Sequence, residues 1–200
     1  MYGDKFWNER YKSEEFFYGV EPNSFLVEHS HLLKGKILSL SEGEGRNAVF
    51  LASKGFDVHG VDLSEVALDK AQILAQSKNV EIQTEVTDLA EYKPKENFYD
   101  SVISISAHLP SVVRNRLYPL VEKCLKPDGI IIFEAYSENQ FGLNSGGPKD
   151  IDMLMTVNKL KCEFPSLEPL IAREIEREVN EGEGHKGLSS VVQFVARKNA

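Results

Sequence analysis

Cysteine is nearly absent. Cys124 and Cys162 are the two in 200 residues, with no CxxC pair and no ligand cluster at metal-binding spacing. This excludes a disulfide scaffold, gives no reason to expect a metal, and suits reduced structural thiols in a cytoplasmic protein. No apolar run is long enough to span a bilayer, and the opening Met-Tyr-Gly-Asp-Lys-Phe-Trp-Asn-Glu-Arg has no apolar signal core. A soluble protein with no membrane contact is expected. Basic residues are in deficit, 23 against 31 acidic for a net charge of −8, and no Lys/Arg run occurs. That excess repels phosphate backbones, so nucleic acid is not the expected partner. Internal repeats, low-complexity tracts and Pro/Gly/Ser linkers are missing too. One domain over 1–200 is therefore expected, with an arm over 1–30 and an insertion over 136–168 that covers the substrate.

What is present is an alternation of strand and helix patterns around one glycine-rich turn. Lys36-Ile-Leu-Ser-Leu-Ser-Glu-Gly-Glu-Gly-Arg-Asn-Ala48 reads as a buried strand, a tight turn and a helix start, and Val58-His-Gly-Val-Asp62 as a second strand ending in a carboxylate. This order builds a nucleotide-type cofactor site at the carboxyl edge of a parallel sheet. Gly43 and Gly45 permit positive φ and close ligand approach. Asp62, roughly 20 residues on, suits ribose hydroxyls. Further strands are predicted at 80–86, 99–106, 130–135, 171–179 and 190–197, and helices at 47–54, 64–75, 111–126 and around 152–163. Gly55 is expected to close the first of these helices and Ser64 to cap the second. Pro119 is expected to kink or split the third, and Lys126-Pro-Asp-Gly129 to form a turn. The last two strands lie too close for a crossover helix, so they form an antiparallel hairpin. The expected fold is a Rossmann-like α/β domain: a mostly parallel seven-stranded sheet, helices on both faces, and a C-terminal antiparallel hairpin. Gly43-x-Gly45-x-x-Ala48 also satisfies the dinucleotide fingerprint, so a small NAD-binding oxidoreductase is a rival reading.

The Glu42-Gly-Glu-Gly-Arg-Asn47 turn, the Val61-Asp-Leu-Ser64 strand end and the Leu125-Lys-Pro-Asp-Gly129 segment together resemble the class I S-adenosylmethionine-dependent methyltransferases. Within that class they are similar to the branch of tellurite-resistance and thiol (thiopurine-type) methyltransferases. Ser39 and Ser41 stand where the family commonly has Asp and Gly. The resemblance implies S-adenosyl-L-methionine as cofactor. Its methionine and ribose parts would lie along Glu42, Gly43, Glu44 and Gly45, with Glu42 available for the amino end and Arg46 for the carboxylate. Asp62 would hold the ribose and Leu63 the adenine; Asp88 and Leu89 would meet the adenine edge; Ser104, Ile105 and Ser106 would border the sulfonium.

Methyl transfer is an in-line displacement, so alignment and water exclusion carry the catalysis. The expected acceptor is a small molecule, a thiol or chalcogen compound by the resemblance, handled by a monomer or homodimer. Trp7, Tyr11 and Tyr18 are lid candidates, since aromatic faces attract a sulfonium, while Phe16 and Phe17 read as ordinary core cover. His108 lies just past a strand end, and Tyr136 and Glu134 end the next strand. These, with His185 of the hairpin turn, are the candidate proton acceptors, His108 and Tyr136 foremost, and Glu134 and His185 are expected to join the lid over the substrate. A cofactor-binding protein without activity is the second rival.

Overall fold

The computed structural model describes residues 3–199; Met1 and Tyr2, which begin the 1–30 arm, and Ala200 lie outside the described residues. Helices α1 (Asp4–Arg10) and α2 (Ser24–His29) precede β1 (Lys36–Leu40). The chain then runs α3 (Arg46–Ser53), β2 (Asp57–Asp62), α4 (Glu65–Ser77), β3 (Gln83–Val86), β4 (Tyr99–Ile105), α5 (Ser111–Cys124), β5 (Leu125–Tyr136), α6 (Val157–Glu163), β6 (Leu167–Glu181) and β7 (His185–Lys198). The strands form one seven-stranded sheet in the order β3-β2-β1-β4-β5-β7-β6. Pairs among the first five are parallel, and β7 runs antiparallel to both β5 and β6. This is the expected Rossmann-like arrangement.

The apolar runs are explained by burial of both sheet faces. Successive side chains alternate sides. Ile37, Ile103, Ile130 and Ile132 therefore pack with Phe25, Leu51 and Leu74 of the α2, α3 and α4 layer. Leu38, Val102, Ile131 and Phe133 pack with Leu117, Val121 and Leu160 of the α5 and α6 layer. Ser64 Oγ accepts from Ala67 N at 3.1 Å, and Gly55 follows α3 at φ +90°, as the cap chemistry predicts.

Several boundaries differ from the sequence reading. Helix α5 is continuous through Pro119, with Leu117, Tyr118 and Val121 buried around it, so packing overrides the break. Lys126–Gly129 turns as expected, with Asp128 at φ +59°, but it does so as a bulge within β5, with Tyr99 opposite Leu125 and Ser101 opposite Ile130. The third strand is four residues long, because Val80 N still bonds Ala75 O at the end of α4. The helix expected around 152–163 is divided into a 3₁₀ turn, Ile151–Met153, and α6. The Asp152 carbonyl and carboxylate are taken by Arg114 Nη1 (2.6 Å) and Ser111 N (2.7 Å), leaving the carbonyl unavailable to a continuing helix. The hairpin strands are longer than predicted, and Gly187 lies inside β7.

Candidate cofactor and acceptor crevice

Connections from β1 and β4, adjacent strands at the centre of the sheet, leave toward opposite faces. Their carboxyl ends open a crevice of about 440 Å³, where ligands of such sheets bind. Both lips are conformationally unusual: Ser41 after β1 has φ +52° and Ser106 after β4 has φ +57°. The two turn glycines divide the work. A Cβ on Gly45 (φ +93°) would stand 2.7 Å from Ala71 Cα, so this glycine lets α3 pack on α4. A Cβ on Gly43 (φ +65°) would point toward the Tyr11 hydroxyl at 3.4 Å, so this glycine keeps the crevice floor open.

Asp62 fastens the floor. Its Oδ2 accepts from Gly43 N and its Oδ1 from Ser64 N, both at 2.9 Å. Each carboxylate oxygen has a second acceptor site, and Asp62 lines the crevice, so capacity for a diol remains. Burial raises its pKa, against the hydrogen bonds from Ser64 and Gly43. Leu63, Asp88 and Leu89 line the same end. One Asp88 oxygen caps the following turn through Ala90 N at 2.8 Å. Glu42 is turned inward. Its carboxyl accepts from Ala48 N at 2.9 Å and meets Ser39 Oγ, and its Cγ is 3.0 Å from where a Cβ on Gly60 would be. Burial pushes the Glu42 pKa up to about 7, opposed by those two hydrogen bonds. The carboxyl thus supports the turn from beneath. Ile105 and Ser106 line the crevice, but Ser104 does not. Alternation turns Ser104 to the same face as Val102, where its buried Oγ has no partner among the described residues.

The arm forms the roof. Trp7 stacks on Tyr11 at 5.9 Å, Tyr11 meets Tyr18 edge-on at 6.1 Å, and all three line the crevice. Two residues clip the arm down. Glu44 Oε1 and Oε2 accept from Phe17 N and Tyr18 N, each at 3.2 Å. Lys70 of α4 pairs with Glu44 at 2.5 Å and donates to the Ser13 and Glu15 carbonyls at 2.9 and 2.6 Å. Ser64 Oγ, already the α4 cap, also donates to Asn8 Oδ1 at 2.6 Å. Lys70 was missed from the sequence, although a lysine between Ala67, Ala71 and Leu74 on an apolar stripe is a readable anomaly.

The far end of the crevice lies toward the hairpin. His108 lines it, but Nε2 accepts from Tyr136 N at 3.0 Å. Burial and the neighbouring His185 take the His108 pKa down to about 3, against a backbone hydrogen bond to Ser106. Tyr136 is buried beneath, donating to Ser145 O at 3.2 Å, and burial raises its pKa. Glu134 is also below the crevice, saturated by Asn23 Nδ2 (2.7 Å), Arg177 Nη2 (2.5 Å) and Gln193 Nε2 (2.6 Å). His185, which a glycine-rich turn would place in solvent, is 7% exposed and lines the crevice wall. Its ring packs on Tyr18 at 4.6 Å, Nδ1 faces Glu181 Oε2 at 3.7 Å, and Nε2 has no hydrogen-bond partner among the described residues. Burial lowers the His185 pKa, with Glu181 opposing. Arg46 lines the crevice but is paired with Glu181 at 2.6 Å. Gly146–Lys149 of the insertion complete the rim. Gly147 fits there because a Cβ would stand 2.7 Å from the Tyr136 ring.

The sheet order and the crevice at its switch point define a class of fold: a Rossmann-like domain of the kind found in methyltransferase structures. A family model described as "Methyltransferase domain" matches residues 37–129, from β1 into the β5 bulge. The chain is 28% identical over 172 residues to tRNA (uracil(54)-C(5))-methyltransferase of Pyrococcus abyssi, covering 76% of this chain and 39% of that one. It spans less than half the length of the curated relatives it matches. Among solved structures, TehB from Haemophilus influenzae has a TM-score of 0.74 at 19% identity, covering 98% of this chain and 67% of the other. Phosphoethanolamine N-methyltransferase 2 of Haemonchus contortus, solved with S-adenosyl-L-methionine, has a TM-score of 0.67 at 17% identity, covering 98% and 56%. The crevice fits that cofactor on its own geometry. A buried carboxylate with free acceptor capacity ends it, Gly43 leaves the floor open, and Leu63, Leu89 and Ile105 offer apolar surface. Its volume is within the roughly 300–1,000 Å³ of small-molecule sites.

Proposed function

We propose that the protein methylates a small-molecule acceptor from S-adenosylmethionine. The observation that supports this reading is the roofed crevice, which runs from Asp62 to His185 and is closed above by the clipped aromatic arm. Bound there, the cofactor supplies an activated methyl group. Asp62 binds the ribose hydroxyls, Leu63 and Leu89 flank the adenine, and Asp88 meets its edge. Trp7, Tyr11 and Tyr18 exclude water and present ring faces to positive charge. The net charge of −8 argues against a polyanionic acceptor, whose phosphates it repels.

His185, rather than His108 or Tyr136, takes the acceptor's proton. Its Nε2 is unengaged, its depressed pKa keeps it neutral near pH 7, and Glu181 faces the nitrogen that stays protonated. The motif resemblance to the tellurite-resistance and thiol branch supports a thiol or related chalcogen acceptor.

The test is transfer of labelled methyl from S-adenosylmethionine to a panel of small thiols, hydroxyl compounds and amines, with tRNA in parallel. Label is expected on a small thiol and not on tRNA. Binding of S-adenosylhomocysteine with no product anywhere would favour a binding module, and binding of NAD in its place would defeat the proposal. Asp62→Ala is expected to weaken S-adenosylhomocysteine about 10- to 100-fold in calorimetry, the loss of a charge-assisted partner. In His185→Gln, the acid limb of the kcat/KM pH profile should disappear.

A further inference from the structure

We infer that Arg10, on the roof, is the receptor for the carboxylate of the cofactor's amino-acid end, the role that the glycine-turn motif suggests for Arg46. This rests on the methyltransferase reading above. Arg46 is already engaged within the protein. Its Nη2 is 2.6 Å from Glu181, its Nη1 is 3.4 Å from the Glu21 carbonyl, and the pair is buried. A ligand carboxylate placed there would compete with Glu181 and be repelled by it. Of the lysines and arginines lining the crevice, Arg10 and Lys149 have no carboxylate partner among the described residues. Lys149 is exposed on the insertion, where water screens it. Arg10 is half-buried, and its position is fixed.

The guanidinium carbon of Arg10 lies 4.8, 5.4 and 5.1 Å from the ring centres of Phe6, Trp7 and Phe17. One N–H reaches Tyr18 Oη at 3.2 Å. Four of the five N–H donors of an arginine side chain are then left to a planar acceptor. The location also suits a cofactor carboxylate. Tyr11, the next residue, has its hydroxyl over Gly43, so the end of α1 sits above the glycine turn. Tyr18, which Arg10 contacts, packs on His185. Arg10 therefore stands over the turn on the side away from Asp62, and the ribose and the amino acid occupy opposite ends of one cofactor.

The experiment compares two ligands by calorimetry. S-adenosylhomocysteine carries the carboxylate; 5′-deoxy-5′-methylthioadenosine keeps the adenosine and thioether without the amino acid. Arg10→Gln is expected to weaken the first about 10- to 100-fold and leave the second within about twofold, with Arg10→Lys between. Methylthioadenosine affinity and circular dichroism serve as the folding control. Equal effects on both ligands, or on neither, would overturn the assignment, as would a large loss of S-adenosylhomocysteine in Arg46→Gln with none in Arg10→Gln. If S-adenosylhomocysteine does not bind the unaltered protein, the methyltransferase reading itself fails. If Arg10 instead serves an anionic acceptor, S-adenosylhomocysteine affinity is unchanged and an acceptor's KM rises, which also overturns it.

Discussion

Ser41 occupies a left-handed conformation at φ +52°, with no side-chain hydrogen bond among the described residues to offset it. A residue with a Cβ gives up about 1–2 kcal/mol in that region, whereas glycine returns about 0.4–1 kcal/mol through unfolded-state entropy. Ser41→Gly should therefore stabilise the protein by about 0.5–1 kcal/mol, read as a higher urea midpoint at unchanged m-value. Gly45→Ala combines φ +93° with a 2.7 Å approach to Ala71 Cα, and backbone on both sides cannot yield as a flexible side chain would. A loss of at least about 2 kcal/mol is expected, larger than the αL term because α3 and α4 must separate.

At the scale of elements, the clip made by Glu44 and Lys70 decides how the roof behaves. Removing one partner of a buried ion pair usually costs about 3–5 kcal/mol, since the other charge is stranded. Here the stranded charge has an escape: if residues 11–18 lift, Glu44 meets water. Lys70→Met should therefore appear as local opening rather than global unfolding. Faster hydrogen exchange at 13–18 and a shift in emission of Trp7, the single tryptophan, are expected with a nearly unchanged unfolding midpoint. Unaltered exchange there would show that aromatic packing alone holds the arm. The clip also marks the limit of what the sequence discloses. The parallel strands, the hairpin and the glycine turn were legible because alternation, turn residues and spacing are local. The bulge at Lys126–Gly129, the unbroken helix through Pro119 and the division of the 152–163 helix were not, because each is imposed by a neighbour distant in the chain. For the site, Gly43, Asp62 and Asp88 could be read from position after a strand. The occupation of Arg46 and Glu134 by partners more than 100 residues away could not.

Across the whole molecule, one buried network ties the arm, the sheet centre and the hairpin together. Arg46 of α3 and Arg177 of β6 hold Glu181 at 2.6 and 3.1 Å, Arg177 reaches Glu134 of β5 at 2.5 Å, and Asn23 donates to both carboxylates. Burial acts to raise the Glu181 pKa, but His185 and Arg46 outweigh it and hold the carboxyl well below its ordinary range. A depressed carboxyl contributes stability that is present above the unfolded value, near 4.5, and is lost as pH falls toward the folded one. Glu42 has the opposite sign. With its folded pKa raised to about 7, its contribution is full below about pH 4.5 and is lost as pH rises through 7, a change of about 3 kcal/mol. The two slopes meet, so these groups together favour maximal stability in mildly acidic solution rather than at neutrality. Glu42→Gln keeps an acceptor for Ala48 N and removes the titration; its urea midpoint should hold level from pH 5 to 7.5 while that of the unaltered protein falls. Glu181→Gln should be about 3–5 kcal/mol less stable at pH 7, with both arginines under-compensated, and should lose little more on acidification. Parallel slopes in all three proteins between pH 3.5 and 7.5 would show that other ionisable groups govern the profile.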